Sequence, residues 1–322
     1  MIQAPQWLPF RVRERWDRTR INAALRGLER TGSLSAREPA DAAAEVHMLL
    51  CHRDVRLGVL ALKSLLRFSE ARMAVSLTAD GSVSAEERAW IDRHVPGCRW
   101  LPRYSDDSRL AAALETRPRL AQLYRSSYHP LCKLLHPAVL ARCERVIVVD
   151  PDTAFFRRPD RLLEWSEGRG QPAWFLHDHQ DEAANVPAAT REAFAELQAL
   201  VTPPGRSWSM PYYFFNSGLL AYRPDQCDLD LGERYLQWRT TAAARYRTGK
   251  PDLWFGDWTP EQTIYQLIFA RMEPAAQPLG DDYHLGGDAG HTFNHFLAYY
   301  LRRESSLRML RGLMMGLPAA KT

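Results

Sequence analysis

The sequence predicts an α/β protein with a mixed, mainly parallel sheet flanked by helices, and with helical additions at both ends. Three observations carry this. Short apolar runs alternate with stretches of helical periodicity along most of the chain. One run, Arg145-Val-Ile-Val-Val149, is β-branched in its strand portion, as expected of a strand covered on both faces. The chain has 322 residues, 46% hydrophobic and 25% charged, which suits one large domain or two small ones around a buried core.

Each element follows from its residues. Trp7, Phe10, Trp16, Ile21, Leu25 and Leu28 recur at helical spacing and predict a basic helix over residues 7 to 30. Residues 31 to 40, rich in Ser, Gly and Pro, read as a loop. Val46 to Cys51 is a short buried strand, and Leu57 to Arg67 a helix with Val59, Leu62 and Leu66 inward. Ala74 to Thr78 is a second strand, closed by the turn Asp80-Gly81. Ser84 with Glu87 three residues later is a capping box, starting a helix that runs to about His94 and stops at Pro96-Gly97. Residues 110 to 143 read as mainly helical. After the β-branched strand, 173 to 176 and 218 to 222 are strand candidates, and 192 to 200, 231 to 240 and 260 to 271 are helices. Phe296 to Met315 has the pattern of a basic amphipathic helix. The chain thus divides into an N-terminal helical extension (1–45), a central α/β domain (46–295) and a C-terminal helix (296–322).

Composition excludes several classes. Lys+Arg is 42 against Asp+Glu 38, and a net charge of +4 is too small and dispersed for a dedicated nucleic-acid binder. The five cysteines show no C-x-x-C spacing and read as free thiols of a reducing compartment. Arg11, Arg13, Glu14 and Arg15 interrupt any apolar core of a leader peptide, and no long uncharged apolar run predicts a membrane-spanning helix. The expected location is cytoplasmic. Arg302, Arg303, Arg308 and Arg311 beside Leu307, Leu310 and Leu313 allow the C-terminal helix to lie on the inner membrane face; packing against the catalytic domain is the alternative.

The chemistry concentrates at Asp150-Pro151-Asp152. A buried strand delivers two carboxylates to its C-terminal end, where alternate residues of an extended chain point the same way and where open α/β sheets bind ligands. Two such carboxylates repel unless a cation lies between them, and Mn²⁺ or Mg²⁺ suits hard oxygen ligands. The bland reading is a strand end capped by an Asp turn.

Here the chain resembles the nucleotide-sugar glycosyltransferases of GT-A fold, within them the family 8-like group, whose D-x-D follows such a strand. Phe215-Asn216-Ser217-Gly218 resembles the family's F-N-[AS]-G segment, and Glu261-Gln262 its [DE]-Q helix start. The resemblance covers about Val46 to His295. It implies a UDP-sugar donor with Mn²⁺ or Mg²⁺ held by Asp150, Asp152 and a histidine, Lys133 reaching the donor, and the segment Cys51, His52, Arg53 and Asp54 meeting the nucleotide. Asn216, Glu261 and Gln262 would bound the reaction centre. Glu261 and Asp257 are candidate bases, and the amide oxygen of Gln262 a candidate stabiliser of positive charge on the sugar. His284-Leu-Gly-Gly287 matches only half of the family's His-x-x-Gly-x-x-Lys pattern, because Gly290 stands where the lysine would be. His284 is therefore the preferred third ligand, with His291 and His295 as rivals, and the diphosphate charge falls to His291, Arg302 or Arg303. The acceptor would be a glycan, a lipid-linked saccharide or a protein. A haloacid-dehalogenase-like phosphatase and a non-catalytic nucleotide-sugar-binding protein are the rival functions.

Overall fold

The structure, a computed structural model, describes residues 9–69, 72–169, 173–177, 188–202, 215–246, 260–272 and 276–320. In chain order the elements are α1 (Phe10–Ala24), β1 (Ala44–Leu50), α2 (Val55–Leu66), β2 (Met73–Ala79), α3 (Ala85–His94) and β3 (Arg99–Pro102). Then come α4 (Ser108–Glu115), α5 (Pro118–Arg125), α6 (Leu131–Val139), β4 (Val146–Val149), β5 (Thr153–Phe155), α7 (Asp160–Ser166), β6 (Trp174–His177) and α8 (Ala188–Val201). The remainder is β7 (Phe215–Tyr222), α9 (Leu229–Tyr246), α10 (Pro260–Arg271), β8 (Gln277–Pro278), β9 (Tyr283–Leu285), β10 (Phe293–His295), α11 (Leu297–Leu301) and α12 (Glu304–Met315).

A seven-stranded sheet in the order β3-β2-β1-β4-β7-β6-β8 forms the centre. Every strand pair in it is parallel except the two made by β7. The architecture is thus the α/β one expected, with a mixed, mainly parallel sheet. Strand periodicity splits the core in two. Ile147 and Val149 face one side with α2, α7 and α12, whereas Val146 and Val148 face the other with α5, α6, α9 and α10. β7 divides the same way, Leu219 and Ala221 against Leu220 and Tyr222. All four β4 residues are consequently buried.

Local signals behave as their chemistry requires. Ser84 and Glu87 make both bonds of the capping box at the start of α3. Two parts of the structure lie beyond the sequence reading. β3 is only half-buried, and a small sheet β5-β10-β9 is built from three-residue strands, too short to display a period.

The C-terminal helix differs from expectation. It breaks at Arg302-Arg303 into α11 and α12. Leu307, Leu310, Leu313 and Met314 of α12 are buried in the same core as Leu25 and Leu28, from the 3-10 turn that follows α1. The two chain ends are also stitched by main-chain bonds, Gly32 N–H to Pro318 O at 2.6 Å and Ala320 N–H to Arg30 O at 3.0 Å. The apolar face that would have met lipid is therefore covered by the chain's own N-terminal segment. No helix among the described residues is long and apolar enough to cross a membrane.

Candidate active site

The site begins where β4 ends. The Asp150 N–H donates to Gly218 O of β7 at 2.9 Å, and Thr153 Oγ1 donates back to Asp150 O at 2.8 Å, closing a tight turn around Pro151. β5 then leaves this turn and pairs antiparallel with β10, with Thr153 opposite His295. The Phe296 N–H donates to Asp152 O at 2.9 Å, and Ser64 Oγ of α2 accepts the Phe155 N–H at 2.9 Å. This pairing brings His295 to the two aspartates. Its Nε2 lies 3.2 Å from Asp152 Oδ1 and 3.9 Å from Asp150 Oδ2. One ligand atom from each of the three side chains falls within 4.8 Å of the others.

The opposite edge of the imidazole fixes its tautomer. Asn216 Oδ1 is 3.0 Å from His295 Nδ1 and accepts the Gly218 main-chain N–H at 2.8 Å. A main-chain N–H only donates, so that atom is the amide oxygen, and Nδ1 must carry a proton to bond it. In its neutral form, the one that ligates a metal, His295 thus directs its Nε2 lone pair at the carboxylates. Burial works against charge on both His295 and Asp152. Their mutual attraction outweighs it, raising the histidine pKa and lowering that of the aspartate. Two carboxylates and one oriented imidazole nitrogen fit a divalent cation, and the nitrogen favours Mn²⁺ over Mg²⁺.

Behind the aspartates lies a buried charge chain. Lys133, on α6, has its Nζ 2.6 Å from Asp150 Oδ1, 3.5 Å from Glu261 Oε1 and 3.1 Å from Ser217 Oγ. Burial penalises the ammonium, but Asp150 and then Glu261 raise its pKa. Glu261, in the first turn of α10, is only 3% exposed, and burial raises its pKa against the pull of Lys133. Gln262 Oε1 accepts from the Ser217 N–H at 3.3 Å and from its hydroxyl at 3.2 Å. Both lone pairs of the oxygen expected to face the sugar are thereby used within the protein, and the amide NH₂ is the end left for a ligand. Asp257, the other candidate base, lies outside the described residues.

These groups line one cleft of about 690 Å³, which also takes in Cys51, Arg53 and Asp54 from the turn after β1. Of the four residues expected to meet the nucleotide, Cys51, Arg53 and Asp54 line it. His52 instead points outward, its Nδ1 2.5 Å from Glu87 Oε1 of α3. At the far wall, Leu297 and Leu301 present apolar surface, the chain turning there through Leu297 at φ 45°, a left-handed conformation unusual for leucine.

The preferred third ligand, His284, is not with the aspartates. β9 pairs in parallel with β10 so that His284 stands beside Asn294 and Leu285 beside His295. Neighbours in register point to the same face and successive residues to opposite faces, so His284 is directed away from the Asp150–Asp152 side. It stacks on His291 at 4.3 Å and lies 3.4 Å from Asp288. Of the rivals, His295 is the histidine beside the aspartates. Of the three groups suggested for the diphosphate, Arg302 lines the cleft, while Arg303 covers the Tyr300 ring at 4.7 Å.

Asp54 accepts a bond from the Cys51 thiol at 3.0 Å, and burial, followed by repulsion from Asp152, raises its pKa. One contributor escaped the sequence reading: the helix α1 lines the cleft through Glu14, Arg18 and Asn22, whose four-residue spacing was a visible signal of a shared polar face.

No protein-family model matches the sequence, and the search of curated proteins finds no match. Solved structures similar to this chain include mouse xyloside xylosyltransferase 1 in its apo form (14% identity, 80% of this chain and 98% of that one, TM-score 0.48). Another is the galactosyltransferase LgtC in complex with donor and acceptor sugar analogues (11% identity, 85% and 96%, TM-score 0.47). A third is core-mannan synthase A from Aspergillus fumigatus in a Mn/GDP form (15% identity, 76% and 74%, TM-score 0.43).

Proposed function

We propose that the chain is a metal-dependent glycosyltransferase of GT-A type, similar to family 8. It transfers a sugar from a nucleotide-diphosphate donor, UDP-sugar in the first instance, to a hydroxyl acceptor with retention. The acceptor class is a glycan, a lipid-linked saccharide or a protein. The carrying observation is the Asp150, Asp152 and His295 cluster at the carboxyl end of β4, its imidazole oriented by Asn216.

When bound there, Mn²⁺ or Mg²⁺ supplies positive charge to a departing diphosphate. The protein's own residues prepare that place. Lys133 holds one oxygen of Asp150 and leaves the other facing His295. Asn216 holds His295 in the ligating tautomer. Glu261 lies behind Lys133 and positions its ammonium. The Gln262 amide, pinned by Ser217, offers N–H donors to a hydroxyl-rich ligand in the cleft. The cysteine and arginine of the turn after β1 border the nucleotide end.

Calorimetric titration of UDP into wild type and Asp152→Asn, in Mn²⁺ and then in EDTA, tests the reading. Wild type binds in Mn²⁺ and weakens by about 10–100-fold in EDTA or on substitution. Equal binding in all four conditions, or none with either UDP or GDP, overturns it, and hydrolysis of a phosphomonoester by wild type but not Asp150→Asn would favour the phosphatase instead.

A further inference from the structure

The helix α1 lies outside the region of family resemblance, yet it forms one lip of the cleft. Its attachment rests on residues other than Glu14 and Arg18. Asp17 Oδ2 lies 3.3 Å from Arg302 Nε, and Arg20 bonds Glu304 at 3.0 Å and Arg302 O at 3.1 Å. On the cleft side, Arg18 of α1 and Arg53 of the turn after β1 converge on a single oxygen. Arg18 Nη2 is 3.0 Å and Arg53 Nη1 is 3.3 Å from Glu14 Oε1. All three side chains line the cleft, and all keep solvent access, at 35% for Glu14, 37% for Arg18 and 57% for Arg53.

Two guanidiniums from separate elements directed at one carboxylate oxygen make the arrangement of an anion site with an internal occupant. The rest of the cleft gives it meaning. Its floor sets Asp54, Asp150, Asp152 and Glu261 against Lys133 and His295, a balance that disfavours an anion until a cation is bound. The arginine pair at the lip attracts one without a cation. Planar guanidinium forks match the oxygens of a phosphoryl group as they match those of a carboxylate, and a phosphoryl group offers more oxygens for two forks to share.

We propose that Arg18 and Arg53 form a recognition site for a phosphoryl group of the substrate, and that Glu14 occupies it in the ligand-free protein. A phosphate entering the cleft displaces the Glu14 carboxylate, so the N-terminal helix selects for phosphorylated ligands. The inference rests on the reading of this cleft as the substrate site, but it needs neither the metal nor a sugar transfer.

The test is titration of inorganic pyrophosphate, in EDTA, into the full chain and into Glu14→Gln, Arg18→Ala and Arg53→Ala, each checked for wild-type thermal unfolding. Removing the competitor in Glu14→Gln tightens pyrophosphate about threefold to tenfold, and either alanine weakens it by a similar factor. Arg18→Lys, which keeps the charge and loses the fork, falls between. Asp152→Asn does not weaken pyrophosphate binding in EDTA, because it removes only a repelling charge, which separates this site from the metal site. Glu14→Gln binding no tighter than wild type, or alanine variants binding as wild type does, overturns the proposal even if metal-dependent UDP binding is found. UDP and glucose 1-phosphate in Mn²⁺ then locate the source of the phosphate. Loss of UDP affinity in Arg18→Ala assigns the pair to the donor diphosphate. Unchanged UDP with weakened glucose 1-phosphate assigns it to a phosphate on the acceptor.

Discussion

At residue 218 a hydrogen atom stands where any other amino acid would carry a carbon. A Cβ there would lie 2.3 Å from His295 Nδ1 and 2.8 Å from Asn216 Oδ1. This glycine, inside β7, thus has a packing reason within the site. Gly218→Ala pushes the imidazole off Asn216 and turns Nε2 from the aspartates. Mn²⁺ affinity, followed by electron paramagnetic resonance of the free ion, is expected to fall by about 10–100-fold while far-ultraviolet dichroism stays native. Unchanged affinity would mean that His295 does not ligate. Residue-scale reading of the sequence was uneven for a clear reason. Asp150 and Asp152 are legible because strand and carboxylates are contiguous. The histidine is not, because His284 and His295 both lie in plausible polar segments and differ only in which face of a three-residue strand they occupy.

Among the elements, the pair formed by α12 and the turn after α1 shows how an amphipathic pattern is satisfied. The helical stripe of Leu307, Leu310 and Leu313 was legible, but its partner was not. A stripe facing lipid and a stripe facing Leu25 and Leu28 have the same periodicity. Leu310 is fully buried, so Leu310→Ala should cost about 2–5 kcal/mol in urea unfolding. The exposed Arg308→Ala should change stability by less than about 0.5 kcal/mol. A small effect of Leu310→Ala would return the apolar face to solvent or membrane. The sheet β5-β10-β9 marks the other limit: its strands are three residues long, and their pairing is held by side chains such as Ser64 from elsewhere in the chain.

Over the whole molecule, buried polar contacts tie distant segments and set the response to pH. Lys63 of α2 is fully buried, its Nζ 2.6 Å from Thr31 Oγ1 and 3.1 Å from His94 Nδ1. Burial lowers the lysine from 10.5 to about 8. Burial, and then Lys63, lower His94 from 6.5 to about 4. Burial works to raise Glu45, but His47 at 3.3 Å, the Arg142 main-chain N–H and the Ser76 hydroxyl outweigh it and lower Glu45 from 4.5 to about 2. In each case the unfolded chain binds more protons between the two values, so stability rises with pH across that window. Acidification from pH 6.5 to 4 should therefore cost about 1–3 kcal/mol through His94, with a further loss between 4.5 and 2 through Glu45. Urea midpoints measured at pH 4 to 7 check this. A flat profile in wild type, or a slope unchanged in His94→Gln, would remove His94 as its source.

The sequence by itself determined what neighbouring residues can express. Hydrophobic period separated strands from helices, the β-branched run announced a strand buried on both faces, Ser84 and Glu87 started a helix, and the strand-end aspartates marked the reactive edge of the sheet. Tertiary structure alone decided which groups meet. It set His295 rather than His284 beside Asp152, buried Lys133 between Asp150 and Glu261, turned His52 away from the cleft, and laid α1 across its lip. Those contacts join residues far apart in the chain through strand register, burial and charge. No local pattern names the partner in any of these contacts, because each depends on the free energy of a surface that exists only once the sheet has assembled.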